Sequence, residues 1–236
     1  MTSSRRKIVL PTGAGLMLGM CACAPEASDV QGGAVRDLYG FFFIVASGVF
    51  LIVVGLISWS LIRYREKPAD GLPKQFHTNI KLEILWFAIP QALVIALFIF
   101  SLATLGDTRD APAEPELTVR VEGFRWGWRF TYVPEDVVLN SEPERPAELV
   151  LPVGERIEFE LLSDDVIHSF YVPSFLIKRD TIPGEVNHLS VTLEEEGTFR
   201  GVCAEFCGLL HDQMNFTVRA VPGDSFESWL SEQETP

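Results

Sequence analysis

The chain has 236 residues, 47% of them hydrophobic, and a mean hydropathy of +0.20, which is too apolar for a wholly water-soluble protein of this size. The formal charge of −13 is unevenly placed: 26 Asp and Glu face 10 Lys and Arg from Gly106 to Pro236, whereas the first 105 residues hold 6 acidic and 9 basic side chains. A C-terminal half this acidic repels nucleic acid and anionic lipid and attracts cationic partners; the rival reading is that the acidity only keeps a surface soluble.

In chain order, residues 1–23 read as an export signal. Arg5, Arg6 and Lys7 form its basic start, and Ile8 to Met20 are apolar but too few to span a bilayer. Cys21-Ala22-Cys23-Ala24-Pro25 follows, and Pro25 disfavours ordinary cleavage after Ala24. Cleavage before Cys21 or Cys23, with acylation of that thiol, fits better. Leu18 favours Cys21 and Ala22 favours Cys23, and a retained signal anchor remains a third reading.

Residues 24–37 form a short extracytoplasmic segment. Residues 38–62 and 82–105 are predicted membrane helices, each long enough for the roughly 30 Å hydrocarbon core. The loop between them, 63–81, carries Arg63, Arg65, Lys67, Lys74 and Lys81 against Glu66 and Asp70, so it is expected in the cytoplasm. The acidic domain, 106–236, then lies on the extracytoplasmic side of the cell membrane. Pro90 inside the second span is tolerable where neighbours satisfy the freed carbonyl. Glu83, the one charge within either span, is either an interfacial group or the mouth of a proton path.

From Glu116 onward the pattern is short and alternating: Leu117-Val119-Val121, Leu149-Val150-Leu151, Ile157-Phe159-Leu161 and Leu189-Val191-Leu193. Turn material such as Pro152-Val153-Gly154 and Ile182-Pro183-Gly184 separates the runs, which predicts an all-β sandwich or barrel. A short amphipathic helix is expected over Gly223 to Leu230. Trp126 and Trp128, two apart, are expected to face one side of a strand, either as core or as a site where electrons enter.

The chemistry concentrates in Cys203-Ala204-Glu205-Phe206-Cys207-Gly208-Leu209-Leu210-His211-Asp212-Gln213-Met214. Thiolate, imidazole and thioether together form a soft donor set that selects copper; zinc has little use for the thioether. His168 supplies a second imidazole from a distant part of the same domain. Two thiolates four apart can bridge two copper ions, each with one His, Met214 being a weak axial ligand for one and a backbone carbonyl for the other. Sharing one electron between two ions keeps reorganisation small. A Cys203–Cys207 disulfide is the rival reading, suited to an oxidising compartment, but it gives His211 and Met214 no purpose. His77 and His188 read as loop and surface histidines.

Together these residues resemble subunit II of the haem–copper cytochrome c oxidases. The loop matches the family pattern C-x-E-x-C-G-x-x-H-x-x-M, Asp165 to Phe170 resembles its first-histidine segment, Glu122 to Phe130 its aromatic stretch, and Leu82 to Trp86 its second-helix start. The resemblance implies an all-β, cupredoxin-like Greek-key domain on a two-helix transmembrane hairpin, behind a signal peptide. It implies a binuclear copper centre with Cys203 and Cys207 as bridging thiolates, His168 and His211 as terminal imidazoles and Met214 as axial ligand. Glu205 would lend its carbonyl to copper and its carboxylate to a magnesium ion shared with the catalytic subunit. Trp126 would receive the electron, Asp165 would join an acidic docking face, and Glu83 would sit at a proton-channel mouth.

The implied donor is cytochrome c or a membrane-tethered c-type cytochrome, and the implied partners are subunit I, with haem and copper, and subunit III. The complex would reduce O₂ and pump protons. A copper subunit of a nitric oxide reductase-type complex is the alternative; a metal-free quinol-oxidase relative is disfavoured by the intact ligand set. Arg125 and Gly127 beside Trp126, and Glu185 after Pro183-Gly184, depart from the family's usual residues.

Overall fold

The structure, a computed structural model, describes residues 27–65, 77–109 and 114–233. The expected signal, with Cys21 and Cys23, lies outside the described residues, as does most of the predicted cytoplasmic loop.

Two long helices come first, α1 (Val30–Arg63) and α2 (Ile80–Arg109). Both are long and apolar enough to cross a membrane. Their apolar side chains face outward, with Ile44 71%, Ile62 79% and Phe87 69% exposed, an arrangement that only lipid or a partner chain can cover. They meet along one side, where the Phe41 and Phe100 rings lie 4.9 Å apart. At the start of α2, Asn79 Oδ1 accepts from Leu82 N while Glu83 Oε1 accepts from Asn79 N, a reciprocal cap that satisfies free helix donors.

At 34 residues α1 spans about 51 Å, well beyond the hydrocarbon thickness. Its first turn extends past the apolar stretch and docks on the β domain. Asp29 caps it by accepting from Gly32 N, Gln31 Oε1 accepts from Thr192 N, and Asp29 forms a β-bridge with Leu193. Burial, reinforced by Glu194, pushes the Asp29 carboxyl up to about 6 against the pull of backbone hydrogen bonds at Gly32 and Gln31. An acid whose folded pKa is raised stabilises the fold fully below its unfolded value, and that contribution is lost as pH climbs from 3.8 to about 6. Asp29→Asn, which keeps an acceptor for the cap, should therefore gain melting temperature over the parent as pH rises through that window. Thermal unfolding of the full chain in detergent from pH 4 to 7 checks this, and a difference that stays constant with pH rejects it.

The β domain contains ten strands: β1 (Leu117–Phe124), β2 (Gly127–Val133), β3 (Val137–Ser141), β4 (Glu148–Pro152), β5 (Arg156–Ser163), β6 (His168–Tyr171), β7 (Lys178–Thr181), β8 (Asn187–Thr192), β9 (Gly197–Cys203) and β10 (Asn215–Val221). They form two five-stranded sheets, ordered β3-β2-β1-β5-β8 and β4-β10-β9-β6-β7. Each sheet has one parallel pair, β1 with β5 and β4 with β10; the other pairs are antiparallel. The predicted alternation is the cause: Val119, Val121, Ile157, Phe159, Leu161 and Val191 are fully buried, and the residues between them are not.

The core between the sheets is aromatic. Phe170 stacks on Phe216 at 5.0 Å, and Trp128 meets both rings edge-on. Tyr132 satisfies its buried hydroxyl by donating to Val150 O and accepting from Val150 N. The tail helix α3 (Gly223–Gln233) closes one end, with Phe226 and Trp229 against Tyr132.

The two tryptophans do not share a strand face. The register pairs Phe124 with Gly127 and leaves Arg125 and Trp126 as the turn between β1 and β2. A hairpin turn interrupts the strand alternation on which that expectation rested. Trp128 lies wholly in the core, and Trp126 is only partly buried.

Candidate metal centre

Three adjacent strands bring the distant residues to one end of the domain. β6 starts at His168 and pairs with β9, which ends at Cys203, and β9 pairs with β10, which starts just after Met214. The loop between β9 and β10 is closed by Cys203 N donating to Met214 O, and Ala204 N donates to Ser169 O. Inside it Gly208 takes a φ of +123°, a region that favours glycine, and a Cβ there would lie 3.2 Å from the Trp126 ring. The loop turns inward once more through a short 3-10 segment, His211–Gln213.

The side chains converge. Ligand atoms of His168, Cys203 and Cys207 all lie within 4.8 Å of one another, and all three residues are buried. Cys207 Sγ is 4.0 Å from Cys203 Sγ, 3.6 Å from His211 Nδ1 and 3.3 Å from Met214 Sδ. Both cysteines are free thiols, their sulfurs far beyond the roughly 2.05 Å of a disulfide. The carbonyl of Glu205 lies 3.3 Å from Cys203 Sγ, while its carboxylate belongs to an exposed residue.

The electrostatics suit a cation. Burial raises the Cys203 thiol, but His168, backbone groups at Glu205 and Ser169, and His211 outweigh it and bring it down to about 7. Burial and the neighbouring Cys203 push Cys207 up to about 12. Burial and the neighbouring sulfur thus oppose a second thiolate in the metal-free pair, and a bound cation would supply what it needs. Burial lowers His168, yet the Cys203 sulfur and the Asp165 carboxylate prevail and raise it. His168 Nδ1 is buried with no hydrogen-bond partner, an orphan that a metal ion would satisfy. Soft sulfur and imidazole donors around that orphaned nitrogen fit copper.

Trp126 lies at the edge of this cluster and donates from Nε1 to Cys207 O at 3.3 Å. Phe206 and Leu209, 79% and 83% exposed, form an apolar rim. Asp165 is not a free surface charge: Oδ2 accepts from Arg125 N and Nε, and Oδ1 from Val166 N and His168 Nε2. Burial works against ionisation there, but His168, Val166 and Arg125 together bring its carboxyl down to about 2. Glu83 lies far along the chain at the cap of α2, apart from the cluster. His188 pairs with Glu158 at 3.1 Å on the surface, and His77 precedes α2.

Two residues support the site in ways the sequence did not indicate. Trp128 forms its floor, edge-on to the His168 ring at 6.0 Å with Nε1 donating to Met214 O. Arg125 anchors Asp165. Neither is near the ligands in sequence, and only the Asp165-x-x-His168 spacing hinted at a support for the imidazole.

The family models described as cytochrome C oxidase subunit II, transmembrane domain and periplasmic domain match residues 17–104 and 142–221. The chain belongs to the cytochrome c oxidase subunit II family. Cytochrome c oxidase subunit 2 of Cereibacter sphaeroides is 30% identical, the match covering 88% of this chain and 78% of that one. The probable cytochrome c oxidase subunit 2 of Streptomyces coelicolor is 31% identical over 97% of this chain and 87% of its own length. That of Alkalihalophilus pseudofirmus is 35% identical over 91% of this chain, which spans 65% of the relative's length. The crystal structure of the periplasmic domain of subunit II of cytochrome oxidase from Bradyrhizobium japonicum is 29% identical with a TM-score of 0.49, covering 52% of this chain and 97% of that one. In this subunit II family member, the apolar helices anchor the chain in a membrane, and the β domain carries a copper-type donor set at one end.

Proposed function

We propose that this chain is the electron-receiving subunit of a haem–copper terminal oxidase. It would take electrons from a c-type cytochrome and pass them to haem in the catalytic subunit I for O₂ reduction coupled to proton pumping, beside a subunit III. The observation that carries the reading is the convergence of two free thiols, two imidazoles and a thioether on one buried spot. Two copper ions held there would supply a one-electron acceptor and donor.

The residues divide the remaining work. Cys203 and Cys207 would hold the copper through their thiolates, His168 and His211 through their imidazoles, and Met214 Sδ and the Glu205 carbonyl would be weaker donors. The buried walls exclude water and hold the donors in place before and after transfer. Trp126, bonded through Nε1 to the carbonyl of Cys207, links the exposed rim to a ligand thiolate. The exposed Glu205 carboxylate is free to meet a magnesium ion at the face toward subunit I. Arg63, Arg65 and Lys81, at the helix ends that flank the interhelical loop, support a cytoplasmic loop and an extracytoplasmic β domain. There the net −16 of the domain attracts a cationic donor. Glu83, half-buried beside its helix cap, would take part in proton uptake only with a partner chain against it.

Copper titration of the full chain in detergent tests the reading. Two ions per chain and a mixed-valence EPR spectrum are expected; one ion with a blue single-site spectrum rejects it. In the copper-loaded chain, Trp126→Ala should slow reduction by a c-type cytochrome more than about tenfold, about 1.4 kcal/mol of barrier, with copper content intact. Equal loss of rate and copper would make this tryptophan merely structural.

A further inference from the structure

Arg125 and Asp165 lie 40 residues apart and meet beside the metal centre. Asp165 sits in the connection from β5 to β6, three residues before His168, and its four hydrogen bonds fill both oxygens. Oδ2 accepts from Arg125 N at 2.9 Å and Arg125 Nε at 3.1 Å; Oδ1 accepts from Val166 N at 2.6 Å and His168 Nε2 at 2.9 Å. A carboxylate accepts, so Nε2 carries the proton and Nδ1 is left as the lone-pair donor facing the thiols. The ring cannot turn away: it is fully buried, Trp128 flanks it, and a Cβ on Gly123 would lie 3.0 Å from its Cδ2.

We propose that Arg125 is a positioning residue for the metal centre: by holding and partly neutralising the Asp165 carboxylate, it sets how strongly that carboxylate pulls on the His168 ring. The proposal rests on the copper reading above. The Arg125 side chain is half exposed, 50% against 24% for Asp165, so the ion pair adds little to stability. Its consequence lies in the imidazole instead. A carboxylate shared with a guanidinium donates less electron density through Nε2–H, which makes Nδ1 a weaker donor and favours the reduced metal. Arg129, on the neighbouring strand, is itself engaged by Glu122 and Asp164.

The test uses the full chain in detergent, copper-loaded, poised against a redox mediator. Arg125→Gln should raise the ratio of oxidised to reduced chain at fixed potential by on the order of tenfold, and Arg125→Lys should restore most of it. In an Asp165→Asn background the same Gln substitution should have little further effect. An unchanged ratio overturns the proposal, and so does a shift that persists undiminished without Asp165, since the arginine would then act only as a distant charge. In the metal-free chain, NMR of the His168 Nε2–H proton should show a downfield move in Arg125→Gln, as the unshared carboxylate accepts more strongly; no move overturns the proposal. If the unsubstituted chain takes up no copper, the copper reading itself fails, and the NMR measurement still decides the role of Arg125.

Discussion

Cys207→Ser is expected to leave a folded β domain that has lost its copper. Cys207 Sγ is the hub of the cluster, within 4.0 Å of Cys203 Sγ, His211 Nδ1 and Met214 Sδ. A serine hydroxyl is a harder donor that stays protonated, so it would not replace a thiolate in holding a soft ion. Loss of a hydrogen-bonded support around a metal ligand costs roughly 10- to 100-fold in affinity. Loss of this ligand should exceed the upper figure. Metal analysis and the sulfur-to-copper absorption read the loss, while circular dichroism shows whether the sandwich survives. Full copper retention with an unchanged spectrum would remove Cys207 from the ligand set.

Trp128→Ala should be the most destabilising single change in the β domain, at about 3–5 kcal/mol. The indole is fully buried, meets His168, Phe170 and Phe216 edge-on at 6.0, 6.1 and 5.9 Å, and donates to Met214 O. Its removal opens a cavity under the ligand-bearing strands, so melting should fall by on the order of 10–20 °C. The loss should also reach the centre, because the His168 ring leans on the indole and Met214 is tied to it. Trp128→Phe, which keeps the ring contacts but not the hydrogen bond, should recover part of the melting temperature. An unchanged melting point for the alanine variant would contradict the packing described here.

Residue type and spacing alone determined the two-helix anchor, the alternating strands and the metal loop. The reasons are local. A run of apolar residues has only lipid or a core to enter, a period of two has only a sheet to fit, and ligands on a twelve-residue loop lie close whatever the rest of the chain does. The loop also points to copper, since sulfur and imidazole donors favour it by chemistry rather than by shape. Tertiary structure decided what depends on contacts across the chain. The β1–β2 hairpin split the paired tryptophans, sending Trp128 to the floor of the site and Trp126 to its edge. The meeting of Arg125 with Asp165 gave a carboxylate expected on a docking face hydrogen bonds to Arg125 and to His168. Docking on β8 gave the start of α1 a buried carboxylate, where the sequence indicated only a short extracytoplasmic segment. The last two follow from contacts between residues 40 or more apart, which leave no local mark in the sequence, and the first from a hairpin register that the period-two pattern conceals.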